Sequence, residues 1–257
     1  MKKKFFTITL LTLISLSGLK AQYYYTFDPF SDGDKHLGIE AGLGGWFGSS
    51  DVKITNNDYS SNPYYGFNAD NFKRGIMNPN VAILYKRVLE DDRISWGNNY
   101  RVALNWWNGT VEGSSTTDPT TTFSTTFSYR NVQLSDLYYI MLPIGDILYI
   151  NAGFGLTIGL NLSPKSTITY SDGRPTVTTT GGTDIMDLII GTIDFMAGVD
   201  YKLTDSFTAS LNLIGYPIDF FGLLEEPETK GLRGVGEGLY VSKKFPFQIT
   251  LGMTYAL

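Results

Sequence analysis

The chain of 257 residues contains no cysteine and only one histidine. The first absence removes disulfides, thiolate metal sites, thiol nucleophiles and a lipid anchor on an N-terminal cysteine. The second removes any multi-histidine metal centre. Charge is sparse as well: charged residues make up 18% of the chain, with 20 Lys and Arg against 25 Asp and Glu. A net charge of −5 leaves no basic surface for nucleic acid. Beyond residue 19 no run of 18 consecutive apolar residues occurs, so the body of the chain offers no transmembrane helix.

What is abundant is aromatic and small: 17 Tyr, 16 Phe, 4 Trp and 28 Gly. The chain starts with Lys2, Lys3 and Lys4, an apolar run from Phe5 to Leu19, and Ala21-Gln22. A basic segment, a short apolar segment and a small residue before the cut describe a secretory signal peptide over residues 1–21. Its removal takes away Lys2, Lys3, Lys4 and Lys20 and no acid, leaving a net charge of −9. Residues 22–35 then form a periplasmic N-terminal segment, and residues 36–257 the folded domain.

Period-two alternation dominates that domain. From Leu148 to Leu162 one face is Leu, Ile, Ala and Phe throughout, and the other is Tyr149, Asn151, Gly153, Gly155, Thr157, Gly159 and Asn161. Residues 189–203 and 247–257 divide in the same way. A soluble sandwich also alternates, but its solvent face carries Lys and Glu. Here the minor face carries Gly, Asn and Thr, which suit the cramped interior of a narrow barrel whose apolar face meets lipid. The expected fold is all-β: a transmembrane antiparallel up-and-down β-barrel of eight strands, with ten as the alternative. The strands fall near 36–48, 79–88, 93–109, 122–141, 147–162, 186–203, 206–217 and 245–257. Tight connections at 89–92, 142–146 and 204–205 alternate with long ones at 49–78, 110–121, 163–185 and 218–244. That alternation puts the short turns and both termini in the periplasm and the long loops outside the cell. Ser171-Asp172-Gly173-Arg174 reads as a turn between strands that continue past the membrane.

Outward aromatics sort by height into two girdles: Trp96, Tyr201, Phe207 and Tyr255 near the short turns, and Phe47, Trp106 and Phe247 near the long loops. The leader ending at Ala21-Gln22, the turn alternation and the closing strand Gln248–Leu257 together resemble small outer-membrane β-barrel proteins of the Bacteroidota type. The resemblance implies an outer-membrane location, outer-membrane lipid as the surroundings, and Leu251, Met253, Tyr255 and Leu257 as the signal read by the barrel-assembly machinery. The strand departs from the commonest form by ending in Leu257 rather than Phe.

Inward positions carry both signs of charge: Glu40, Asp194 and Asp200 against Lys86, Arg101 and Lys202. Buried charges need partners, so Arg101 is expected at the centre of an ion-pair network with Glu40 and Asp194. In the fourth strand neither face is clean. Asp136 is assigned inward, because an acid on lipid at mid-depth is costly. A β-bulge between Gln133 and Leu137 would reconcile the two halves of the strand.

Chemistry-bearing motifs are weak. His36 lies at the periplasmic start of the first strand, the wrong end for a lipid-modifying barrel enzyme. Asp28, Asp32 and Asp34 do not have calcium-loop spacing. Gly231, Gly234, Gly236 and Gly238 lack the strand and helix that frame a nucleotide loop. No cofactor or metal is expected, nor an enzyme. In the first long loop Asp51, Asp58 and Asp70 balance Lys53, Lys73 and Arg74, so no polybasic patch stands out there. Its Tyr59, Tyr64, Tyr65, Phe67 and Phe72 suit either sugar or peptide contact or, preferably, self-packing. Glu225, Glu226 and Glu228 suggest a short helix in the fourth long loop. The function expected is a filled barrel acting as membrane scaffold or displaying loops to an extracellular ligand. The alternative is an accessory subunit of a secretion or transport complex, and the least favoured reading is a lipid-modifying enzyme.

Overall fold

The computed structural model describes residues 33–47, 52–54, 63–74, 78–90, 93–180, 189–219, 239–241 and 245–257. The leader, most of the N-terminal segment, the glycine run at 231–238 and the acidic stretch at 225–228 lie outside the described residues. Among the described residues twelve strands are formed: β1 (Asp34–Phe47), β2 (Val52–Ile54), β3 (Phe67–Arg74), β4 (Asn78–Leu89), β5 (Ser95–Ser115), β6 (Thr122–Ile144), β7 (Leu148–Tyr170), β8 (Val177–Thr180), β9 (Ile189–Lys202), β10 (Phe207–Asp219), β11 (Leu239–Val241) and β12 (Phe245–Ala256).

Eight of these make the wall, and every pairing is antiparallel. The order β5-β4-β1-β12-β10-β9-β7-β6 is completed by the β5–β6 ladder, so each wall strand has two hydrogen-bonded neighbours. The expected eight strands are these eight. The other four are extensions: β3 pairs with β5, β8 with β7, and β11 with β2.

The registers fix the geometry. Opposite residues can be followed from Leu148 through Tyr201, Ala209, Met253, Ile39, Ile83, Val102 and Leu134, and the line re-enters β7 at Ile158. The stagger is therefore ten residues. For eight strands about 4.8 Å apart, rising about 3.3 Å per residue, that stagger requires a strand tilt of about 40°. Isoleucine, leucine, valine and aromatic residues occupy nearly all of this outward line.

Two expectations need correction. The connection at 110–121 is not a long loop: β5 and β6 run on as a hairpin, and only residues 116–121 turn. There Asp118 accepts from the hydroxyls of Thr120 (2.7 Å) and Thr121 (2.8 Å). These bonds hold its carboxyl below the usual carboxylate range. The bulge is also not between Gln133 and Leu137, where β6 alternates without a break. It lies across the ladder in β7. The register steps from Ser128↔Lys165 to Arg130↔Leu162, with the extra residue at Ser163-Pro164, and Ser163 takes φ 50°. A proline has no N–H to give a ladder, so a bulge is where a wall strand tolerates one. Beyond it the faces of β7 exchange: Asn161 points in below, Ser166 and Ile168 above.

Candidate functional site

The interior is built in layers from inward side chains, and strand register decides which of them meet. At the short-turn end Lys86 on β4 faces Asp200 on β9 across the lumen, with Nζ 3.6 Å from Oδ2 and the Tyr139 ring 5.9 Å from Nζ. Tyr139 has room because β5 places Gly97 opposite it; a Cβ there would collide with the ring.

Above this layer Arg101 spans the lumen. It is completely buried. Its Nε donates to Glu40 Oε1 at 2.8 Å, and its Nη2 to Gln248 Oε1 at 2.8 Å. One guanidinium on β5 thereby ties β1 and β12, neither of which pairs with β5. Asp194 is buried too, but its carboxylate is held by the hydroxyls of Thr157 and Thr192, not by a direct bond to Arg101. The expected triad is thus one ion pair, Arg101–Glu40, with Asp194 nearby on its own hydroxyl partners. Lys202 stands apart, 3.8 Å from Asp205 in the turn below.

Asp136 is the clear departure. It belongs to the outward face of β6, where Asn98 Nδ2 donates to Oδ1 at 2.6 Å and Tyr138 Oη donates to Oδ2 at 3.2 Å. Arg87 joins the same patch, donating to Tyr100 Oη at 3.0 Å. The acid is tolerated on this apolar wall because neighbouring side chains supply its hydrogen bonds.

A row of amides was missed by sequence reasoning. The inward line through Asn151, Gly198, Asn212, Thr250, Gly42, Asn80, Asn105, Asn131 and Asn161 winds once around the wall. Every Asn and Thr in it is at most 3% exposed. Gln248 Nε2 donates to Asn105 Oδ1 at 2.6 Å, and Asn131 Nδ2 to Asn161 Oδ1 at 2.8 Å, which links the row to Arg101. Gly198 leaves space for the amides of Asn151 and Asn212. The signal was present as an inward Asn on strand after strand, but only the register puts these residues on one line.

At the long-loop end the interior turns apolar. Tyr64, Phe67, Val111, Phe123, Phe127 and Ile168 form a buried cluster. Burial pushes the Tyr64 phenol up to about 12, partly opposed by its 3.1 Å hydrogen bond with Thr125. Tyr64 and Phe67 therefore pack inward, in line with a self-packed first loop, whereas Tyr65 is exposed.

Trp96, Tyr201, Phe207 and Tyr255 project outward near the short turns, and the Phe207 and Tyr255 rings lie 5.1 Å apart. Trp106 and Phe247 are half-buried on the outer face, and Phe47 pairs with Phe245 through the backbone. Leu251, Met253, Tyr255 and Leu257 are all exposed, the first three as one outward stripe of β12. His36 is half-buried at the foot of β1, opposite Lys86 and Ala256.

No protein-family model and no curated protein matches the sequence. Its structural neighbours are outer-membrane β-barrel proteins. Ail, the attachment invasion locus protein of Yersinia pestis, is 9% identical with a TM-score of 0.36, over 87% of this chain and 99% of that one. Neisserial surface protein A is 9% identical with a TM-score of 0.37, over 87% and 97%. The N-terminal β-barrel domain of OprF from Pseudomonas aeruginosa is 14% identical with a TM-score of 0.34, over 88% and 99%. The eight-stranded barrel therefore stands on the chain's own strand pairing.

Proposed function

We propose that the protein is an integral outer-membrane barrel with a sealed interior, serving as a membrane scaffold that carries its β5–β6–β7 ridge and loops above the bilayer. The observation behind this is the sorting of side chains across the wall. Ile39, Ile83, Leu134, Phe154, Ile158 and Leu251 are 60–69% exposed on the outside, while Arg101, Asn131, Thr157 and Asp194 are completely buried inside. A soluble barrel would reverse that order. Leu148 to Leu162 rises about 35 Å at a tilt of about 40°, which covers the roughly 25 Å apolar band of such barrels. The buried Leu84, Leu137, Met196, Ile214 and Trp107 in the interior support the sealed reading. The Bacteroidota-type leader and closing strand, the periplasmic termini and assembly through the C-terminal stripe belong to the same proposal.

Fractionation followed by gel migration tests it. The protein is expected in the detergent-extracted envelope, with faster migration unheated than boiled. Recovery in the soluble fraction with a single band under both conditions would overturn the proposal.

A further inference from the structure

Above Trp106 the outer face of the ridge carries a groove of about 330 Å³, lined by Asn108, Thr110, Thr126, Ser128, Lys165 and Thr167. The floor is Gly109 and Phe127. Arg130 is the next outward side chain below Ser128 on β6, and it sits opposite Trp106 in the ladder. The two cations are exposed on adjacent strands, one bulge apart. Neither forms an ion pair among the described residues. The nearest acid on this face of β5 is Glu112, one outward position above Thr110.

The bulge is what makes this surface basic. Unbroken period-two alternation from outward Leu162 would turn Lys165 inward; the bulge at Ser163-Pro164 leaves it exposed opposite Ser128. The bulge costs a left-handed backbone at Ser163 and delivers a lysine beside four hydroxyls and an amide. Bulges commonly re-aim a side chain in this way. Two unpaired cations, one of them a planar guanidinium, with a fringe of hydroxyl and amide groups match an anionic ester on a polyhydroxyl frame.

We propose that this groove binds a sugar bearing a phosphate or sulfate ester, with Lys165 and Arg130 on the anion and Asn108, Thr126 and Ser128 on the sugar hydroxyls. The same chemistry arises from a glycolipid headgroup of the outer leaflet and from a free sugar ester. Only the placement beside a headgroup rests on the outer-membrane reading; the groove itself does not.

The test uses the full chain folded in zwitterionic detergent, with unheated gel migration as the control for the barrel. Calorimetric titration with a disaccharide phosphate, the neutral disaccharide and inorganic phosphate reads the chemistry. Native mass spectrometry after reconstitution in phosphatidylcholine nanodiscs, with and without a phosphorylated glycolipid, reads the source. The disaccharide phosphate is expected to bind, the neutral sugar at least tenfold more weakly, and Lys165→Ala with Arg130→Ala to lose at least tenfold in affinity. Arg130→Lys should keep part of it. Glycolipid retained by wild type and lost by the double variant assigns the membrane source, and titration without retention assigns the free ester. Binding unchanged in a correctly migrating double variant, equal binding of the neutral sugar, or no binding of either form by wild type would overturn the site. Loss of the migration shift in wild type would instead overturn the barrel.

Discussion

Replacing Arg101 by alanine tests the layered interior most directly. The guanidinium is completely buried and joins Glu40 and Gln248 through two 2.8 Å hydrogen bonds. Its removal leaves Glu40, 3% exposed, with an uncompensated carboxylate beside Ala82 and Gly252. Breaking a buried pair from one side costs about 3–5 kcal/mol, far more than the net worth of the intact pair, because the orphaned charge keeps its desolvation penalty. Arg101→Met with Glu40→Gln removes both charges and keeps much of the volume. It should recover most of that loss, so the two changes are strongly non-additive. Urea unfolding of the barrel in lipid vesicles, followed by tryptophan emission, measures all three proteins. A loss below about 1 kcal/mol for Arg101→Ala, within the range of an exposed pair, would refute the account. So would a double variant as unstable as the sum of its parts.

Three further outcomes follow from the same geometry. In planar bilayers neither wild type nor Arg101→Ala should pass current, because Leu137, Met196, Ile214 and Trp107 still fill the lumen; steady conductance in the variant would show that the guanidinium was the only seal. Tyr64 has its phenol raised from 10 to about 12 by burial, so the folded state holds the proton more tightly than the unfolded chain. The stability of the upper cluster is therefore full below pH 10 and falls between pH 10 and about 12; protease resistance of the ridge should drop over that window in wild type and stay level in Tyr64→Phe. Asp136→Asn keeps an acceptor for Asn98 and a partner for Tyr138 while removing a charge from the outward face. It should stabilise the barrel in vesicles by on the order of 1 kcal/mol, and clear destabilisation in the unfolding curve would mean that Arg87 depends on that charge.

The wall was readable because an apolar outer face and a largely polar inner face impose a strict period of two. Leu148–Leu162 shows it without ambiguity, and the tight turns mark where strands reverse. Arg101, Glu40, Lys86, Asp194 and Asp200 were readable as inward for the same reason. Their partners were not, because Arg101 meets Gln248 and Lys86 meets Asp200 across the lumen, and a strand pattern carries no information about the opposite wall. Asp136 was misplaced through an energetic argument that ignored Asn98 and Tyr138, whose side chains share the cost. The bulge was hidden because Ser163-Pro164 looks like the start of a loop. The basic face it creates was invisible for the same reason: Arg130 and Lys165 are 35 positions apart, and neither belongs to a run of like charges.

The seam between β1 and β12 has a kinetic consequence. Most of the other wall ladders join strands that are near in sequence, and such hairpins can form early at low entropic cost. The seam pairs residues 34–47 with 245–256, so it can zip only after almost the whole chain has been delivered. Until then both strands present open edges, which are prone to pair with other chains. β12 is thus the latch of the barrel, and the time between its emergence and its pairing with β1 is when misassembly is most exposed.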